Sequence, residues 1–475
     1  MPQPQSRKNP VERILGLFAP VEGGEGTTVL LLTVNVFLLL TAYYIIKPVR
    51  EALILAGGGA ELKAYASAGQ AFLLLLAVPI YARLAERVPR RRLINLVTLF
   101  FVACLGLFYV LAQARVPLGV VFYLWVGIFN LMVVAQFWAF ANDIYTPNEG
   151  KRLFAIIAFG ASGGAVLGSR IASWLIEPLG TFQLLLVSGG ILLFTLVLTN
   201  LVDTREKRRQ KIVGGAAALE AEEPVGKGNA FLLVLRNNYL LLIALLILVL
   251  NVVNTTGEYL LGRLVQQAAE QAAAAAHPGA AQDVLDDAVR TYAGRFYGDF
   301  YFVVNLLSLG IQLLLVSRIL KFLGVRIALL IPPLVALGGY FFLAFVPVLA
   351  VVRWSKTAEN SLDYSLMNTL RGVLFLPTTR EEKYKAKQAI DTFFVRTGDA
   401  LQAGLVFAGT TWWGFHTRDF AYVAMGLVVV WIGLAFAVGV RYRKLVGRQE
   451  RIAAQAGRGI LGPETRKAVE LPDIE

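Results

Sequence analysis

Thiols and imidazoles are nearly missing from this chain. Its 475 residues hold one cysteine, Cys104, and two histidines, His277 and His416. A single cysteine excludes a disulfide framework and a thiolate metal site, and two histidines are too few for a histidine-built centre. Charge is scarce as well. Only 16% of the residues are Asp, Glu, Lys or Arg, where a soluble domain carries about 25%. Enzyme signatures are absent too. There is no Walker A glycine loop, no His-Glu-x-x-His and no paired cysteine. ATP hydrolysis therefore has no footing, and no bound cofactor is expected. Residues 1–26 are polar and lack an apolar core followed by a small-residue cleavage site, so no cleavable signal peptide is read from them.

What fills the chain is apolar sequence, 57% of it. Twelve apolar segments can be drawn, roughly 28–46, 63–83, 93–113, 117–141, 153–176 and 181–201 in the first half, then 237–262, 296–320, 326–346, 348–375, 386–412 and 420–440 in the second. Segments four, five, ten and eleven carry polar residues and are expected to score weakly as spans. The cations are distributed by alternate loops. Arg83, Arg87, Arg90, Arg91 and Arg92 follow segment two, Lys151 and Arg152 follow four, and Arg205, Lys207, Arg208, Arg209 and Lys211 follow six. Arg318, Lys321 and Arg326 follow eight, Arg380, Lys383, Lys385 and Lys387 follow ten, and Arg441, Arg443 and Lys444 follow twelve. By the positive-inside rule both termini are cytoplasmic, which requires an even number of spans. Much of the net charge of +13 thus belongs to membrane topology, and no nucleic-acid partner is implied.

The expected protein is an all-α polytopic membrane protein of twelve transmembrane helices in two six-helix halves, placed in a bacterial cytoplasmic (inner) membrane. Its expected divisions are a cytoplasmic tail over 1–27, a first half over 28–201, a cytoplasmic linker over 202–235, a second half over 236–440 and a cytoplasmic tail over 441–475. The outer loop 263–294 is rich in Ala, Gln and Asp, which favours exposed helix. The halves resemble each other: TPNEGKRLFAIIAFGASGGA joins segments four and five, and TTREEKYKAKQAIDTFFVRTGDA joins ten and eleven. Such repeats mark a transporter whose halves rock against each other.

Polar groups at membrane depth are the candidate site residues, because charge there faces a cavity or a partner. In TAYYIIKPVREALIL, Lys47 and Arg50 are three apart and share a helix face beside Tyr43 and Tyr44, with Glu51 following. That face suits an anionic, aromatic solute; the plain alternative is a set of anchors snorkelling to water. Pro48 is expected to bend the helix. Segment seven carries Glu258 near Asn251, Asn254, Thr255 and Thr256, placed to pair with a cation or take up a proton, or else to sit in the outer interface. Segment five contains FGASGGAVLGS, which reads as close helix packing, followed by Arg170. In segment eight, Arg295 and Asp299 are spaced to pair with each other. In segment ten, positions 356, 359 and 363 share a stripe that lipid would not accept. Lys356 and Arg396 are the second-half candidates for holding an anion. Lys385 and Lys387 open segment eleven, either attracting a polyanion or fixing topology.

Four stretches resemble the bacterial and plastid ATP/ADP translocases, nucleotide exchangers of the wider major-facilitator-like group. They are TAYYIIKPVREALIL, FWAFANDIYTPNEGKRLFAIIAFGASGGA, the GEYLL of segment seven and YSLMNTLRGVLFLPTTREEKYKAKQAID. The resemblance implies a major-facilitator-like fold and alternating-access exchange of an anion, most directly a nucleotide. It also implies transport roles for Lys47, Arg50, Glu258 and Lys387; for the family's acid near the fourth span, Asp143 and Glu149 lie nearby. Two positions depart from it. Lys47-Pro48 and Arg50-Glu51 stand where the family tends to carry Arg-Asp and Lys-Asp, and Gly398-Asp399 stands where it often has Gly-Lys. Lys47, Arg50 and Glu258 are expected to line one central cavity. The partners expected are an anionic small molecule and the lipid bilayer, with the protein a monomer. The rival expectations are a major-facilitator-like transporter of another solute and a non-transporting scaffold or lipid-handling protein.

Overall fold

The computed structural model describes residues 20–22, 25–145, 147–213, 230–379 and 382–457, and every regular element among them is helical. Most of the expected N-terminal tail, positions 214–229 of the expected linker, Arg380 and the end of the expected C-terminal tail lie outside the described residues. In chain order the helices are α1 Gly26–Arg87, α2 Arg90–Gln113, α3 Gly119–Phe129, α4 Ala135–Ile144, α5 Pro147–Leu179 and α6 Gln183–Val213. There follow α7 Ala230–Arg236, α8 Asn238–Ala276, α9 Gln282–Leu314, α10 Val316–Ala328, α11 Ile331–Phe345 and α12 Leu349–Leu362. The last are α13 Asn368–Val373, the short turn α14 Lys387–Ala389, α15 Val395–Thr411 and α16 Thr417–Gly457.

Eight described helices are long and apolar enough to cross a membrane, or nine if the pair Val316–Ala328 and Ile331–Phe345, bent by 71°, is one span. Segments four and five do pass that test, against expectation, because their polar residues are too few to outweigh the apolar ones. Segments one and two count once, since both lie on α1. At 1.5 Å per residue its 62 residues would reach roughly 90 Å, against about 30 Å of hydrocarbon. The helix is broken at Gly58 and Gly59, with Gly59 at φ 79°, a conformation that favours glycine. Pro48 is not the break: the chain passes through it with helical dihedrals. Large apolar side chains such as Phe72, Leu76, Phe342 and Trp412 stand exposed, as lipid-facing positions of a multi-pass membrane protein do.

The chain gathers into two compact units. The first holds the described residues up to Val213 together with Val265–Asn305; the second holds residues 230–264 and the described residues from Leu306 onward. In the first unit, α1 packs against α3, α5 and α6. Gly160, Gly164 and Gly168 of α5 lie one turn apart, and a Cβ at each would meet the main-chain oxygens of Thr33, Phe37 and Thr41 in turn. This is the small-residue packing expected of segment five. The Ala-rich stretch beyond segment seven continues α8 to Ala276, turns through Gly279 (φ 76°) and returns as α9, so the stretch 263–294 is a helical hairpin.

In the second unit, α11 packs against α12 and α16. Wide π-helical turns interrupt segment four at Asn130–Val134 and segment ten at Asp363–Met367, equivalent places in the two halves of the sequence. Two more, Glu382–Ala386 and Ile390–Phe394, flank α14.

A leucine at position 164 would enter the Phe37 backbone, and overpacking of this kind costs about 1–3 kcal/mol or more. Gly164→Leu is therefore expected to lower the melting temperature of the detergent-purified protein. Gly190→Ala, where a Cβ meets nothing within 4 Å, leaves it unchanged or raises it.

Candidate functional site

The break in α1 builds the charged centre of the first unit. Were the helix continuous, Glu51 and Lys63 would be separated by roughly 18 Å along its axis. Instead Lys63 Nζ lies 2.7 Å from Glu51 Oε2. Arg50 reaches the other oxygen of the same carboxylate, through Nε at 3.1 Å and through a closer terminal nitrogen. Tyr301 of α9 donates its hydroxyl to Glu51 Oε1 at 3.4 Å. Glu51 is fully buried, and Lys47 and Lys63 are 8% and 7% exposed.

Tyrosine rings wall this group. Lys47 Nζ sits 3.9 Å from the centroid of Tyr301 and 5.1 Å from that of Tyr44. The Arg50 guanidinium lies 4.7 Å from Tyr123, and Lys63 Nζ 5.4 Å from Tyr297. Cation–π contact offsets part of the desolvation that burial imposes. Arg50 and Lys63 share the Glu51 carboxylate, and Lys47 stands one turn before it against the Tyr301 ring. Lys47 and Arg50 are thus held inside the unit and are not anchors snorkelling to water.

Lys63 was not singled out by sequence reasoning. Its signal was present as a lysine opening an apolar run, four residues after Gly59, the last of Gly57-Gly58-Gly59. What was missing was the reversal of direction that those glycines allow. The break is secured by Gln266 of the hairpin, whose side-chain oxygen accepts from the Ala60 amide at 3.1 Å.

Glu258 and Lys356 come together in the second unit. Lys356, 1% exposed, donates to Asn254 Oδ1 at 2.7 Å and to the Asn254 main-chain oxygen at 3.2 Å. Its Nζ is 3.1 Å from Glu359 and 3.9 Å from Glu258. Asn360 donates to Glu258 at 2.9 Å. Glu258 is therefore embedded among partners and is not an interfacial loop-end acid. Position 356 holds its lysine between two carboxylates. Lys47 and Arg50 belong to the first unit and Glu258 to the second.

Arg396 pairs with Asp399 at 2.9 Å, and Asn251 donates to the same carboxylate at 2.8 Å. Lys387 pairs with Asp391 at 2.9 Å, one turn away and half-exposed. The expected Arg295–Asp299 pair does not form. Arg295 bonds Glu177, while Asp299 takes Arg170 at 3.0 Å and the Ser173 hydroxyl at 2.6 Å. Contacts from α5 outbid the one-turn pair. Asp143 pairs with Arg90 at 2.7 Å.

The comparisons with known proteins agree with this chemistry. A family model described as "TLC ATP/ADP transporter" matches residues 4–116. ADP,ATP carrier protein 1 of Chlamydia trachomatis is 23% identical, with 99% of each chain covered. ADP,ATP carrier protein 1 of Chlamydia pneumoniae is 24% identical over 64% of this chain, and the match spans 63% of that carrier's length. Among solved structures, a POT family transporter in complex with 5-aminolevulinic acid is similar at TM-score 0.59, 13% identity and 88% and 96% coverage of this chain and that one. The nucleoside transporter NupG is similar at TM-score 0.56, 10% identity and 88% and 99% coverage. The fold is all-α and major-facilitator-like.

Removing the buried counter-charge of the first unit leaves Arg50 and Lys63 facing each other. Glu51→Gln is expected to cost roughly 3–5 kcal/mol of stability, read as a lowered melting temperature in detergent. Added tripolyphosphate recovers part of that loss and raises the variant's melting temperature more than the wild type's.

Proposed function

We propose that this chain, a relative of the ATP/ADP translocases, is a secondary transporter that carries a phosphorylated anion across the bacterial cytoplasmic membrane by alternating access between two six-helix halves. The solute is most directly a nucleotide, moved in ATP/ADP-type exchange. The strongest support is the buried group of Lys47, Arg50 and Lys63 around Glu51, walled by Tyr44, Tyr123, Tyr297 and Tyr301. Cations buried within a membrane helix bundle are costly unless acceptors surround them, and an anion supplies such acceptors. A polyphosphate supplies several acceptor oxygens, and the arginine fork matches it bidentately. Tyrosine faces offer a surface for a flat base. Glu51 holds the cations in place when no anion is bound and gives way as phosphate oxygens take over its hydrogen bonds. Glu258, with one lysine near it, switches partners during the cycle, and Lys356, Lys387 and Arg396 support the anion's passage from the second half.

Uptake of labelled ATP into proteoliposomes, with and without ADP inside, tests this directly: uptake that depends on internal nucleotide is expected. No uptake of any phosphorylated solute would leave a non-transporting membrane protein as the better reading.

A charge-assisted hydrogen bond to phosphate is worth roughly 1.5–3 kcal/mol, about 10- to 100-fold in affinity. Lys47→Ala, Arg50→Ala and Lys63→Ala are each expected to weaken nucleotide binding by that factor in purified, monodisperse protein. Arg50→Lys recovers only part, and Glu258→Gln lowers turnover more than binding. Wild-type affinity in Lys47→Ala and Arg50→Ala together would remove the site.

The alternating basic loops support a topology with both termini and residues 202–235 in the cytoplasm and the α8–α9 hairpin outside. In a Cys104→Ala background, a cysteine at Gly279 is expected to react with an impermeant reagent on intact cells. One at Gly214, outside the described residues, is expected to stay protected.

A further inference from the structure

The break in α1 also leaves a cavity. It lies within the first unit, between residues Leu55 to Gly59 of α1 and the α8–α9 hairpin, and holds about 330 Å³. That is the lower end of the range for small-molecule sites, about 300–1,000 Å³. One side of it is apolar. Leu285 and Val289 of α9 and Ala273 of α8 pack together there with Ala56 of α1.

The other side is built from acceptors. Glu270 stands exposed at the rim and Asp286 is half-buried. Each has one oxygen held by a glutamine amide one turn away: Gln266 donates to Glu270 Oε1 and Gln282 to Asp286 Oδ1, both at 2.8 Å. The glutamines thereby orient both carboxylates and leave the second oxygen of each to accept. The backbone adds to this. An unbroken helix would give the Ala60 amide to the Ala56 carbonyl; here it goes to Gln266 Oε1 at 3.1 Å. The first piece of α1 therefore ends at the cavity wall, carbonyls and negative dipole end foremost. Among the described residues, no lysine, arginine or histidine lines the cavity, so every charged group facing it is negative.

A wall of this kind takes a cation, and its dimensions choose among cations. Calcium or magnesium needs about six or more oxygens drawn in to roughly 2.0–2.6 Å. Two carboxylates around a space of 330 Å³ do not close on so small an ion. A single ammonium answers one carboxylate and leaves the other. A linear diammonium answers both and lays its methylenes over Leu285 and Val289, where their burial is favourable.

We propose that this cavity is a binding site for an aliphatic polyamine, and that its occupation pins the hairpin against the break in α1. The site is separate from the group of Lys47, Arg50 and Lys63 and independent of the solute the chain moves.

Spermidine is the probe, titrated at low salt into the nucleotide-free protein in detergent. A saturating rise in melting temperature is expected, with a smaller rise from 1-aminohexane and from magnesium chloride at the same concentration. Hydrogen exchange is expected to slow over 55–60 and 266–289. Glu270→Gln and Asp286→Asn each weaken spermidine binding by roughly threefold to tenfold, and the double variant loses it. Ala274→Trp fills the cavity without touching either carboxylate, and it too is expected to block binding. Magnesium as effective as spermidine would overturn the polyamine assignment. Spermidine binding left unchanged by these variants, or protection confined to other parts of the chain, would overturn the site.

Discussion

The carboxylate of Glu51 is the constraint on which the first unit depends. It is fully buried and answers Arg50 and Lys63 at once, and it reaches Lys63 only because α1 breaks at Gly58–Gly59. Without the break those two residues would lie on separate levels of one rod. Each ion would then sit in an apolar bundle without its partner, at a cost of several kcal/mol. The Ala60 amide at the break is taken by Gln266, so the kink has a defined geometry. The glycine stripe of α5 lets α1 approach to main-chain contact.

The two units treat buried charge in opposite ways. The first sets Arg50 and Lys63 on one acid and faces them, with Lys47, with tyrosine rings. The second sets two acids near one lysine and fills the remaining positions with Asn254 and Asn360. Both are built from helix residues, where packing fixes rotamers more firmly than a loop would.

Much of this was legible from residues alone. Charges in apolar runs were visible at Lys47, Arg50, Glu258 and Lys356, and the rule that such charges need partners held for each of them. Four-residue glycine spacing in segment five announced close helix packing, and Ala-rich composition announced the hairpin helices. What stayed hidden depended on tertiary direction. Lys63 and Tyr301 join the first cluster from a reversed helix and from a segment 250 residues away from Glu51, and neither relation leaves a local pattern. Arg295 and Asp299 have ideal spacing for each other, yet Glu177, Arg170 and Ser173 take them instead. Local spacing states which pairs are available and not which competitor arrives across the bundle. Segments four and five were judged too polar because their few charged groups were weighed without the apolar residues around them.

The long reach from Glu51 to Tyr301 also sets a timetable for biogenesis. At a synthesis rate of roughly 5–20 residues per second, the 250 residues between them take on the order of 10–50 s to emerge. Through that interval Lys47, Arg50 and Lys63 are already on the nascent chain, while the tyrosines of α9 are still unmade. The newborn N-terminal helices therefore need shelter, from the insertion machinery or from anionic lipid headgroups, until the late segment docks. Truncation or stalling before Tyr297 would leave these cations without the α9 tyrosines that face them.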